Sequence, residues 1–110
     1  MKKITCKVGG CTHPVQSELR DHTLCLEHFL DDVQERARSF ARQLSEQGPQ
    51  KPLQRAALQF IVLSAAKIAT IGTENPPHDQ LARGRLLNAI LLLADLRERF
   101  DKAADKKPAP

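Results

Sequence analysis

Every cysteine of this 110-residue chain, and three of its four histidines, fall in one stretch, CKVGGCTHPVQSELRDHTLCLEH, residues 6 to 28. Cys6 and Cys11 flank KVGG, and Cys25 and His28 flank LE, so the spacing is C-x4-C-x13-C-x2-H. Two close pairs across a loop can bring four soft or borderline donors to the corners of a tetrahedron, as a structural zinc ion requires. A disulfide framework would leave one of three cysteines over, whereas metal ligation uses all of them. Gly9 and Gly10 allow a tight turn before Cys11, with positive φ at no steric cost. Cys25 and His28 share one face of a helix that starts there, and the positive end of its dipole favours the thiolate.

Two other histidines compete. His13 stands two residues past Cys11, an awkward spacing for simultaneous ligation. His22 would form H-x2-C-x2-H with Cys25 and His28. His28 is the preferred fourth ligand, because SELRDHT reads as a polar loop in which Thr23 or Asp21 caps the following helix. The competing reading is a set of unrelated buried cysteines and solvated histidines.

The pattern C-x3-G-C followed by L-C-x2-H-F resembles the short three-cysteine, one-histidine zinc fingers of many small bacterial proteins, some of them attached to nuclease or DNA-binding domains. The resemblance covers residues 4 to 30. It implies that Cys6, Cys11, Cys25 and His28 hold the zinc and that a helix leaves directly from the last pair. The segment from His13 to Leu24 departs from that pattern in being longer and more acidic.

The rest of the chain has the periodicity of three helices, giving a mainly α fold in which an N-terminal zinc-finger loop leads into a small three-helix bundle. In the first helix, 26–47, Leu26, Leu30, Val33, Ala37, Phe40 and Leu44 form an apolar seam, and Gly48-Pro49 ends it. In the second, 52–71, Pro52 sits in the first turn and Leu53, Ala57, Phe60, Ile61, Ala65, Ile68 and Ile71 make the buried side, with Gly72 closing it. In the third, 76–103, Asn75 is the expected cap, with Pro76 at the first position and Asp79 near the positive end of the dipole. Its stripe is Leu86, Ile90, Leu93 and Phe100 beside Ala82, Ala89 and Leu96. Leu87, Leu91 and Leu92 spread apolar surface beyond that stripe, so this helix is either the central element or an interface. The expected organisation is a finger segment, 1–30, and a three-helix region, 26–103, packed as one domain, with a flexible tail at 104–110.

Composition bounds the function. Hydrophobic residues make up 41% and charged residues 27%, a globular balance, but without Trp or Tyr and with only four Phe the core is modest. There is no glycine-rich phosphate loop and no nucleophile-elbow serine. Glu27, the one candidate base near the cysteines, lies between two ligands and points away from them. The expectation is a non-enzyme with a closed, structural zinc. MKKITCKVGG lacks the apolar run of a secretory signal, and the stretch Leu58 to Ile71 is shorter than a membrane span and carries Lys67, so a cytoplasmic protein without membrane contact is expected.

Two functional classes fit. One is an interaction module that binds another protein or itself as a homodimer. The other is a nucleic-acid binder using Lys2, Lys3, Lys7 and Arg20 of the finger with Arg36, Arg38 and Arg42 of the first helix. The first is preferred, because Asp32 and Glu35 interleave with those arginines and the finger offers no exposed aromatic for base stacking.

Overall fold

The apolar seam beginning at Leu26 folds as helix α1, Leu26–Gln47, and two further helices follow, α2, Lys51–Glu74, and α3, Gln80–Asp105. The structure, a computed structural model, describes residues 4–74 and 76–105. Among them there is no strand, only an isolated bridge between Thr5 and Pro14 and one 3-10 turn, Ser17–Leu19.

Helix α1 buries Phe29, Leu30, Val33 and Ala37. Leu26, Phe40 and Leu44 of the expected seam are half-buried against the same core. Gly48 ends the helix at φ 78°, a conformation that favours glycine, and its amide donates to the Leu44 carbonyl at 2.9 Å.

Helix α2 starts at Lys51, with Pro52 in the first turn, where its missing amide costs nothing. Gly72 does not close it. An interior glycine costs only about 1 kcal/mol, and the helix continues to Glu74 with Ile71 fully buried and the Thr73 hydroxyl donating to the Ala69 carbonyl at 3.0 Å. Its 24 residues are also long and apolar enough, on length and composition alone, to cross a bilayer. Here Ala57, Ile61, Ser64, Ile68 and Ile71 are buried within the bundle.

Helix α3 begins at Gln80, four residues later than the periodicity suggests. Pro76 and Pro77 supply no amide donors, and a residue preceding proline is driven out of the helical region. Asp79 becomes the cap instead: its Oδ1 accepts from the Leu81 amide at 3.2 Å, and its carbonyl accepts from Arg83 at 3.0 Å. Asn75 lies outside the described residues. At the other end the helix takes in Ala104 and Asp105, the first two residues of the expected tail; the remainder, 106–110, also lies outside them.

Helix α3 is the central element, packed along both α1 and α2, which touch each other far less. Leu86, Ala89, Leu93, Leu96 and Phe100 make its buried stripe, and Leu92 packs on the core from the side of α1. Ile90, expected in that stripe, is 39% exposed, because the stripe follows the 86–89–93–96–100 spacing and Ile90 falls beside it. The bundle is elongated, 61 × 25 × 20 Å.

Candidate metal centre

The N-terminal segment is shaped chiefly by backbone hydrogen bonds. The Cys6 amide donates to the His13 carbonyl at 3.0 Å and the Val15 amide to Ile4 at 2.8 Å, which pairs the two sides of the first cysteine turn. Within that turn the Cys11 amide donates to Val8 at 3.0 Å, and Gly10 alone takes positive φ, 82°. Of the two glycines only Gly10 therefore needs its freedom there.

The connecting segment is not a plain polar loop. Its 3-10 turn drives Leu19 to complete burial, and Leu24 is buried behind it. Thr23 adopts φ 55° and does not cap α1, nor does Asp21. The cap position belongs to Cys25, whose extended backbone turns into the helix and whose carbonyl accepts from Phe29 at 2.8 Å. His28 is consequently in the first turn of α1, on the face that Cys25 occupies.

Four side chains converge. His28 Nδ1 lies 3.3 Å from Cys6 Sγ and 3.2 Å from Cys25 Sγ, and Cys11 Sγ lies 3.9 Å from Cys25 Sγ. One donor atom from each of Cys6, Cys11, Cys25 and His28 lies within 4.8 Å of all the others. Donors held at zinc-like bond lengths around a tetrahedron stand roughly 3.5–3.8 Å apart, so the spacing and the donor set fit a metal ion of that kind. Cys6 and Cys25 are buried and the other two half-buried.

The sulfurs are electrostatically unequal. Burial works against the Cys6 thiolate, but the backbone amides of Cys25 and Val8, together with His28, outweigh it and bring its pKa from 9.0 to about 6. Burial pushes the Cys25 thiol up to about 11, and the neighbouring sulfurs of Cys11 and Cys6 add to that rise. A cation placed among the four would relieve the crowding of negative charge.

The competing histidines stand apart. His13 is exposed, with Nδ1 3.5 Å from Cys11 Sγ, and is outside the four-residue cluster. The His22 ring packs on Phe29 with centroids 5.3 Å apart, and its Nε2 lies 3.8 Å from Asp21. Burial and the nearby Lys67 charge push its pKa down.

Two cations brace this end of the molecule, one tying the N-terminal segment to α2 and the other tying α3 to α1, and periodicity pointed to neither. Lys67 of α2 donates to Asp21, and Arg85 of α3 binds Asp31 and lies 3.6 Å from Glu27. The one available signal was a lysine inside an otherwise apolar helix. Of the expected phosphate-binding residues, Lys2 and Lys3 lie outside the described residues. Lys7 shares a groove with Asp31, Asp32 and Glu35, and Arg36 pairs with Asp32 at 3.1 Å.

No family model matches the chain, and neither the curated proteins nor the solved structures contain a significant match. Fold and site together define a small, mainly helical protein with a Cys3His cluster able to hold a metal ion.

Proposed function

We propose that the chain is a cytoplasmic protein-interaction module whose Cys3His cluster binds one structural zinc, and that it is not itself an enzyme. Three thiolates and one imidazole are a zinc donor set, and four protein ligands close the coordination sphere. Such a metal would order the first thirty residues, a segment too short to build a sufficient core by itself.

The observation that carries the interaction reading is the exposure of several large apolar side chains on α2 and α3. Ala56, Phe60 and Leu63 of α2 face the groove toward α1, as do Leu92, Asp95 and Arg99 of α3. The helical rotation then places Leu58 and Val62, and Leu87 and Leu91, on the flanks facing away from α1. They are 40%, 59%, 58% and 57% exposed. Monomers rarely leave so many large apolar side chains together in water. The nucleic-acid reading has less behind it, because acids accompany the cations of the finger and of α1.

The test compares the immobilised, metal-loaded chain with its Leu91→Lys variant. The native chain should retain a protein partner, and the variant should lose it while keeping its metal. Equal retention by the two would remove this surface from consideration. DNA binding that weakens steeply with salt would favour the nucleic-acid reading instead.

A further inference from the structure

We infer that the partner of α2 is the α2 of a second copy of this chain, packed antiparallel about a two-fold axis between Ser64 and Ala65. This rests on the interaction-module reading above but places the second copy on a different side of α2 from Leu58 and Val62.

Ala56, Gln59, Leu63, Ala66, Thr70 and Thr73 of α2, three of them lining its groove with α1, are spaced three, four, three, four, three. That is the spacing of a helix–helix seam, and none of the six is charged. All are exposed except Thr70, which is half-buried. The Thr70 and Thr73 hydroxyls already donate to the carbonyls of Ala66 and Ala69, at 2.9 and 3.0 Å, so neither lacks an acceptor. A seam this rich in small side chains allows two helix axes to approach closely.

The seam is symmetric about its own centre. Reversing a second α2 against the first sets Leu63 against the partner's Ala66, Gln59 against the partner's Thr70, and Ala56 against the partner's Thr73. Larger side chains then meet smaller ones at the first two levels. A two-fold interface requires such self-complementarity, because each patch must fit a copy of itself.

Charge supports the same register. Arg55 and Glu74 bracket the seam at equal distances from its centre, and both are exposed. Neither has an ion-pair partner among the described residues. In the antiparallel arrangement each Arg55 stands at the level of the partner's Glu74, twice per dimer. A parallel pair would instead set like charges together, which opposes association.

The second α2 also has somewhere to lie. Because α1 and α2 touch so little, a groove of about 550 Å³ runs between them, with the Phe40 and Phe60 rings 5.3 Å apart on its wall. Ala56, Gln59 and Leu63 line the same groove, so a helix seated on the seam also covers those rings.

The experiment is light scattering on the full, metal-loaded chain over a concentration series, with helicity and metal content measured on every variant. The native chain should reach dimer mass, and Leu63→Glu should be a folded monomer. Arg55→Glu and Glu74→Arg should each weaken association about tenfold, and the double swap should restore it; an order of magnitude suits a solvent-exposed pair counted twice. A monomeric native chain up to about 100 μM, a range that detects dissociation constants weaker than micromolar, overturns the inference. So does a dimer indifferent to Leu63→Glu, or failure of the double swap to rescue. If the native chain is monomeric but retains a different protein through Leu91, the dimer is wrong and the module reading survives. If Leu91→Lys dissolves a dimer that Leu63→Glu leaves intact, the second copy sits on α3 and this register is wrong.

Discussion

Lys67, in the middle of α2, donates to Asp21, in the segment that joins the two halves of the cysteine cluster. The pair crosses 46 residues of sequence and ties the cysteine-bearing segment to a helix that contributes no donor to the cluster. The Lys67 hydrogen bond holds the Asp21 carboxyl below its ordinary pKa, so the tie contributes stability above the usual carboxylate range and loses it as pH falls through the lowered value. Asp21 is largely exposed, and such pairs contribute about 1 kcal/mol or less. Lys67→Met should therefore speed amide exchange around Leu19 to Leu24 with only a small change in melting temperature and no loss of metal. Unchanged exchange would show that the tie is ornamental.

The chain purified under reducing conditions should carry one zinc. Serine at Cys6, Cys11 or Cys25 should release it, as should His28→Ala. His13→Ala and His22→Ala should retain it. Elemental analysis decides, and a site emptied by His22→Ala but filled after His28→Ala would exchange the two histidines' roles.

Removing the metal should loosen the first thirty residues and the start of α1 while most helicity stays. Ile61, Ile68, Leu93, Leu96 and Phe100 are buried side chains of α2 and α3, neither of which supplies a donor to the cluster. Far-ultraviolet circular dichroism before and after chelation measures this. Complete loss of the helical signal would mean that the bundle cannot stand without the metal.

Leu19 is fully buried, so Leu19→Ala should cost about 2–5 kcal/mol, as large-to-small changes in a core do. Denaturant unfolding of the metal-loaded chain gives the value. A loss below about 1 kcal/mol, the level of an ordinary surface change, would place this side chain outside the core.

In the metal-free chain the thiols give opposite pH dependences. Cys6, with its pKa lowered to about 6, contributes stability that is complete above its ordinary 9.0 and disappears as pH falls through 6. Cys25, raised to about 11, contributes stability that is complete below 9.0 and disappears as pH rises through 11. The metal-free N-terminal segment should thus be most protected from exchange near pH 9. A monotonic profile from pH 6 to 11, after correction for intrinsic exchange, would contradict that assignment.

The helices were legible because their apolar residues recur every three or four positions, and α1 also carries its own stop at Gly48. The start of α3 was misjudged because a single proline suits a first turn but two in succession do not. The four clustered residues were legible from spacing alone, since close pairs on a turn and on a helix start need little tertiary information to meet. The position of the intervening segment was not. It depends on Leu19 reaching the core and on Lys67 reaching Asp21, both long-range relationships that leave no period in the sequence. The outcome for Leu87, Leu91 and Leu92 was half visible: the excess of apolar surface was plain, but which of the three would turn toward α1 depended on the rotation of α3.

The central place of α3 bears on the order in which the chain acquires its structure during synthesis. All four donors of the cluster lie between residues 6 and 28, whereas α1 and α2 have little to bury against each other. Both wait for α3, which leaves the ribosome after them. Until α3 emerges, the nascent chain exposes the inner faces of two finished helices, a state prone to association with other chains. A metal-closed N-terminus would be the only part already committed, so a chain truncated before Gln80 should bind zinc and still fail to stay soluble.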